Sequence, residues 1–297
     1  MNDKMKIFNT YHPLGLFIYF ASAIVITMFM INPVMLTIAI ISGIAFVLTL
    51  TDIRTFLKNL AYEIPFFILI ALTNPLFSHN GVTPLFFLNG NAVTLEAVLY
   101  GLDMGIMILG VIYWCKCYSI IVDSEKFIYL FGKAIPKLSL VLSMALKFVP
   151  VFKRQYRKIS DAQKCFGYYA TDSYFDKIRN ALRVFSCLIT WSLESSIDTS
   201  VAMKAKGYGL KGRTHFHNFR FHIRDLFLIA VTLFMDIVVF TGIWTDIIDF
   251  RFYPKITQIN LNAESIAVYG AFIILMFMPA FLEIKEKIKW KYYVERI

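Results

Sequence analysis

Six stretches of this sequence, 14–31, 34–50, 61–76, 97–114, 226–244 and 266–281, stay apolar over close to the length that crosses a bilayer, which takes about 20 residues of helix. No feature constrains the fold more. Hydrophobic residues make up 58% of the chain against 17% charged, and the mean hydropathy is +0.62. An ordinary soluble domain is excluded, and an all-α integral membrane protein with six spans is expected. The first run is not read as a removable signal peptide, because Asn32-Pro33 turns straight into the second run and no small-residue cleavage site precedes it. The many Phe, Tyr and Met residues are read as lipid-facing or packing surface.

Charge placement orients the spans. The connections at Asn32-Pro33 and 73–91 hold no Lys or Arg, whereas Lys4, Lys6, Arg54, Lys58, the block 116–224 and the tail 285–291 hold nearly all of them. By the positive-inside bias, both termini and the long block are expected in the cytoplasm of a multi-pass cell-membrane protein, with only Arg251 and Lys255 outside. The net charge of +10 is thus an orientation signal. No nucleic-acid partner is expected, since the cations flank apolar spans and form no binding module.

Three parts follow: membrane helices in 1–115, a cytoplasmic module in 116–223, and two further spans with a basic tail in 224–297. Within the middle part, 136–164 places Leu142, Ala145, Val149, Phe152, Tyr156 and Ile159 at helical spacing. Pro150 is expected to kink that helix. Residues 169–173 break the pattern and offer an N-cap to a second helix, 174–206. One face of it carries Phe175, Ile178, Leu182, Phe185, Ile189 and Leu193. It then turns small, with Ser195, Ser196, Thr199, Ser200 and Ala202. Small residues let helices approach closely, so the two long helices are expected to cross near Ser195, Ser196, Thr199 and Ser200. The run 184–191 is apolar, but Glu194 and Asp198 follow at once, and it is read as part of this helix rather than a span.

Each long helix runs into a glycine. One ends Gln163-Lys164-Cys165-Phe166-Gly167, the other Lys204-Ala205-Lys206-Gly207-Tyr208-Gly209 before Arg213-Thr214. A helix tip that presents a cation suggests a docking knob for another protein, and two tips suggest a two-lobed partner. The second tip nearly spells a phosphate loop, but Arg213 stands where that loop needs lysine and the segment follows a helix instead of a strand. Nucleotide binding is not expected here.

These tips resemble those of the transmembrane T component (EcfT/CbiQ type) of energy-coupling factor transporters. The similarity is carried by Ala202-Met203-Lys204-Ala205-Lys206-Gly207-Tyr208-Gly209 with Arg213-Thr214, and by Ala145-Leu146-Lys147-Phe148-Val149-Pro150 leading into Ile159-Ser160-Asp161-Ala162-Gln163. His12-Pro13 and Ser192-Leu193-Glu194 fit as well. The resemblance implies a non-catalytic, cofactor-free subunit of a vitamin or metal-ion importer, with two crossed coupling helices. Its partners would be two ABC ATPase subunits and a substrate-binding membrane S component. On this resemblance Cys165, Phe166 and Gly167 form one ATPase-docking triplet and Ala205, Lys206 and Gly207 the other. Lys206 keeps the charge of the family's arginine, but Phe166 does not. A Phe there implies an apolar groove on one ATPase and an acidic groove on the other, hence two different ATPase chains.

The remaining chemistry is sparse. Cys115, Cys117, Cys165 and Cys187 have no metal-ligand spacing. His215, His217 and His222 alternate beside arginines and are read as a membrane-surface loop, with no metal expected. Asp103 and Asp236 lie at membrane depth, and Glu63 and Glu96 near span ends. Such carboxylates are functional candidates by default. Read at helix interfaces, they accept hydrogen bonds; read as a convergent site, they make the chain a secondary transporter. A membrane enzyme is a third reading.

Overall fold

Asn32 shows how the sequence sets helix boundaries in this chain. Its side-chain oxygen accepts the Val34 N–H at 3.0 Å, Pro33 takes the first helical position, and only three residues separate the new helix from the previous one. The computed structural model describes residues 8–78, 81–88, 91–132, 135–167, 174–210, 219–259 and 262–294. Among these a short turn, Phe8–Thr10, leads into α1 (Pro13–Phe29), α2 (Pro33–Leu50) and α3 (Ile53–Phe77). A hairpin of β1 (Pro84–Leu88) and β2 (Asn91–Thr94) precedes α4 (Leu95–Ile121) and α5 (Ser124–Gly132). Then follow α6 (Pro136–Cys165), α7 (Tyr174–Ala205), α8 (Ile223–Trp244) and α9 (Ala263–Val294).

The all-α membrane architecture is as expected. Five helices, α2, α3, α4, α8 and most of α9, are long and apolar enough to cross a membrane, and the sixth apolar run forms the shorter α1 of 17 residues. The helices extend past the apolar runs: α3 starts at Ile53 and α4 continues to Ile121. Arg54, Lys58 and Lys116 sustain a helix in water as readily as leucine does in lipid. The helix α5 and the hairpin are additions to the expected plan. The 169–173 cap, the Arg213-Thr214 pair, and His215 and His217 lie outside the described residues.

The chain divides into one unit of residues 1–127 and 219–297 and another of 128–218. In the first, α4 packs on α1, α2 and α3, α2 also on α9, α9 on α8, and α8 on α1. Five helices thus close a ring, and α3 lies against the outside of α4. The ring is filled by Phe8, Tyr19, Phe20, Phe46, Trp114 and Phe272, all fully buried. Polar atoms on these rings reach backbone carbonyls, Tyr19 Oη donating to Leu275 at 2.9 Å and Trp114 Nε1 to Ala39 at 3.2 Å. That satisfies them where water is absent. Gly101 lets α3 close on α4, since a Cβ there would fall on the Ala71 carbonyl.

Side-chain ties between helix ends fix their directions. At one end Phe8 N donates to Glu283 Oε1 (2.9 Å) and His12 N to Asp225 Oδ1 (3.0 Å). Lys126 donates to Asn9 and to the Ile121 carbonyl, and Lys287 to the Thr49 carbonyl. At the other end Asn32 Nδ2 donates to Ile248 O (3.0 Å) and Tyr269 Oη (3.1 Å), and Asn74 Nδ2 to Ala97 O (2.8 Å). The starts of α1 and α8 therefore lie with the ends of α2, α4 and α9, and the six helices alternate up and down. Cations cap the carbonyl ends of α2 and α4, where the helix dipole favours positive charge.

The second unit is built on α6 packed against α7. Phe152 meets Trp191 edge-on at 5.7 Å, and Val184 and Asn180 of α7 and Ser160 of α6 are buried. The helix α6 continues through Pro150.

Candidate functional site: two matched helix tips

The helix α7 ends in a full glycine stop. Gly207 takes φ 78°, its N–H bonds to Lys204 O at 2.9 Å, and the Tyr208 N–H bonds to Met203 O at 3.0 Å. This paired pattern satisfies carbonyls that the helix end leaves open, and the left-handed φ is the reason glycine stands there. Gly209 at φ 96° turns the chain a second time. The helix α6 ends the same way: Gly167 also has φ 78° and its N–H bonds to Lys164 O at 3.0 Å. Both tips are therefore the same backbone device, with Cys165 and Ala205 as last helical residues and Phe166 and Lys206 as the residues just before the turn.

Every member of these triplets except the half-covered Gly207 is exposed. The Phe166 ring is 76% exposed, a large apolar group held out at a helix end. Lys206 is in no ion pair among the described residues. Lys164, by contrast, is spent on its own helix, its Nζ 3.2 Å from Asp161 Oδ1 in an exposed i,i+3 pair. Such a pair contributes little to stability, but it points the lysine away from the tip.

The small-residue patch divides by face. Ser195 and Thr199 are half-buried, one and two turns beyond Trp191, whereas Ser196 and Ser200 are exposed. Thr199 Oγ1 donates to Ser195 O and Ser196 Oγ to Ser192 O, each at 2.7 Å, so these hydroxyls are satisfied within α7. Away from the α6–α7 contact the pair leaves wide apolar faces uncovered. Val149 and Leu138 of α6 and Leu182, Phe185, Leu193 and Ile197 of α7 are each more than half exposed.

Intramembrane carboxylates sit in separate places. Asp236 Oδ1 accepts from Ser22 Oγ at 2.5 Å, joining α8 to α1. Glu63 accepts the Tyr113 hydroxyl at 2.5 Å and pairs with Lys116, joining α3 to α4. Glu96 accepts from Thr83 N at 3.3 Å. Asp103 is buried on α4, with Oδ1 lacking a hydrogen-bond partner among the described residues. Among the described residues no three His, Cys, Asp or Glu side chains gather as a metal site, and Cys115, Cys117, Cys165 and Cys187 are free thiols. His222 forms a capping box with Asp225 at the start of α8. His12 caps α1, Nδ1 accepting the Leu14 N–H at 3.3 Å, which accounts for the His12-Pro13 motif. The pairing of Glu63 with Tyr113 and Lys116 and the tie from Lys126 to Asn9 are not legible in the sequence, since nothing in their spacing joins residues 50 or more positions apart.

A helical multi-pass membrane protein carrying a pair of long helices with matched glycine-stopped tips is the class that fold and site define. The chain matches the CbiQ family, described as cobalt transport protein, over residues 6–216, and it belongs to that family. The relationship read from the two tips is thereby shown. Curated relatives carry the name energy-coupling factor transporter transmembrane protein EcfT. The protein of Listeria innocua is 33% identical over 95 residues, 31% of this chain and 36% of that relative. That of Lactococcus lactis subsp. cremoris is 30% identical over 104 residues, 34% of this chain and 39% of the relative. The chain thus spans well under half the length of these two relatives. A Staphylococcus aureus relative aligns more broadly, at 21% identity over 262 residues, 81% of this chain and 97% of its own.

Proposed function

We propose that the chain is the transmembrane component of an energy-coupling factor importer, a scaffold that passes ATP-driven motion to a substrate-capturing membrane subunit for uptake of a vitamin or metal ion. The observation that carries this reading is the repetition of one exposed helix stop at Gly167 and Gly207 on a packed helix pair. Two equivalent tips suit two ATPase lobes related by a pseudo-two-fold axis. The tips dock through Cys165, Phe166 and Gly167 and through Ala205, Lys206 and Gly207, on the cytoplasmic side together with both chain termini. The lysine-capped end of the six spans is the end expected to face the cytoplasm.

Closure of the ATPase pair would move the tips, and a packed pair converts that into a change of crossing at α6 and α7. The uncovered apolar faces of the pair suit the membrane subunit, whose tilting would expose its cargo to the cytoplasm. The chain itself catalyses nothing in this scheme: hydrolysis belongs to the ATPases, and Asp103 and Asp236 act within the scaffold. Affinity purification from native membranes tests the whole reading. Two ABC ATPases and a small membrane subunit should co-purify, and uptake by the reconstituted assembly should require ATP. Uptake driven by an ion gradient in the lone chain would overturn it.

A further inference from the structure

Between Asn74 and Leu95 the chain carries no Lys, Arg, Asp or Glu, and here β1 and β2 pair antiparallel, Phe86 opposite Val93 and Phe87 opposite Ala92. Neighbouring strand residues point to opposite faces, so Phe86 and Phe87 put aromatic rings on both sides of the ribbon. Phe86 is 53% exposed and Phe87 71%, and Val82 and Leu85 are also more than half exposed. In water such a two-stranded ribbon has no core to justify its order.

Yet the ribbon is firmly placed. Thr94 caps α4, its hydroxyl accepting the Ala97 N–H at 3.3 Å, and the Glu96 carboxylate accepts the Thr83 N–H at 3.3 Å. The Leu95 N–H bonds to Thr83 O at 3.0 Å. Gly81, at φ 135°, passes so close that a Cβ would stand 2.6 Å from Glu96 Oε2. The ribbon is pinned to the first turn of α4, next to the last two turns of α3, where Leu72, Leu76 and Phe77 are more than half exposed. Only 17% of the apolar stretch of α3 is buried within this chain, so α3 presents a continuous apolar outer surface at membrane depth.

We infer that the hairpin continues this surface and sits in the bilayer interface at the Phe77–Leu95 end of the spans, with Val82, Leu85, Phe86 and Phe87 among headgroups and upper acyl chains. A protein partner would cover one face of the ribbon and leave the other wet, whereas immersion covers both. The open edges set the depth. A two-stranded ribbon leaves backbone N–H and C=O groups unpaired along both edges, which the hydrocarbon centre does not tolerate and the hydrated headgroup layer does.

The test is photo-crosslinking in the full chain, reconstituted with its co-purifying subunits into vesicles of phosphatidylcholine and phosphatidylglycerol. Phe86→p-benzoylphenylalanine and Phe87→p-benzoylphenylalanine are compared with Leu69→p-benzoylphenylalanine on the exposed face of α3, and adducts are identified by mass spectrometry. Phospholipid adducts are expected at both hairpin positions, at yields within about threefold of the Leu69 reference. Lower lipid yield at either position, or an adduct to another subunit, overturns the inference. Failure of Leu69 to label removes the lipid-facing assignment of α3 and the inference with it.

Discussion

Phe166 and Lys206 occupy the same position on two different helices: each is the last residue before a glycine at φ 78°, and each stands exposed at its tip. The backbone is repeated and the chemistry is not. One tip offers a cation that is in no described ion pair, the other an apolar ring, so the proposed docking grooves are expected to differ in what they provide. On the proposed docking role, an acidic groove would suit Lys206 and an apolar one Phe166, and two distinct ATPase chains are then expected.

Lys206→Ala is therefore expected to release one ATPase and stop uptake. If the partner groove buries the charge, truncation should cost roughly 2–5 kcal/mol of docking energy, much of it from the carboxylate left unpaired. Lys206→Arg should be tolerated, because arginine keeps the charge and adds a planar fork. Quantitative recovery of both ATPases with Lys206→Ala, alongside normal uptake, would sink this assignment.

At the other tip, binding should be insensitive to salt where the Lys206 tip is sensitive, because screening weakens an ion pair but not an apolar contact. ATPase retention on purified complexes across ionic strength reads the difference directly. Phe166→Ala should weaken docking at all salt concentrations, and Phe166→Arg should not rescue it. Two copies of one ATPase in the complex, or full binding by Phe166→Arg, would show that Phe166 is a tolerated departure.

The faces of α7 direct a third prediction. The run of small residues offers Ser195, Ser196, Thr199 and Ser200 alike, but Ser196 is exposed and bonded to Ser192 O, while Ser195 and Thr199 lie on the half-covered side. Ser195→Leu should impair ATP-driven uptake more than Ser196→Leu, since an added side chain on a covered face forces packed helices apart at a cost of about 1–3 kcal/mol. Equal transport rates for the two variants would remove the argument for a close crossing there.

How much of this was legible in the sequence depends on range. The six apolar runs, the amphipathic pair and the glycine stops are local patterns, and each became a helix or a helix end. The hairpin also had a local signal, Asn89-Gly90 between the apolar runs of β1 and β2, a pattern that favours a tight turn. The face occupied by Ser195 as against Ser196 was not legible, because a run of small residues has no phase of its own. The pairing of Glu63 with Tyr113 and Lys116 joins residues of different helices, and only the fold brings them together. The same holds for the capping of α2 by Lys287.

Glycine at the tips gives a fourth prediction. Gly207→Ala places a Cβ at φ 78°, where the left-handed backbone costs about 1–2 kcal/mol for an L-residue, and 3.2 Å from Leu210 Cδ1. Gly167→Ala meets the same backbone strain but, among the described residues, no neighbour within 4 Å. Hydrogen exchange at the last turn should therefore rise in both variants and more in Gly207→Ala, with the six spans unaffected. Exchange unchanged at either tip would mean that the turn is not what holds it.

Lys126 supplies a pH dependence outside the spans. Its ammonium donates to Asn9 and to the Ile121 carbonyl at the end of α4, and burial pushes its pKa down from 10.5 to about 8, with Asp123 nearby opposing the shift. Between about pH 8 and 10.5 the unfolded chain holds a proton on this amine that the folded chain has released. Stability then rises with pH through that window, and the contribution is flat below it. Lys126→Met keeps the aliphatic stem but removes the titration, so the stability difference between wild type and variant should shift in favour of wild type as pH is raised from 8 to 10.5. Thermal unfolding of both in detergent across that range reads it. A difference that does not change with pH would show that hydrogen bonding at Asn9 and Ile121, and not burial, governs this lysine.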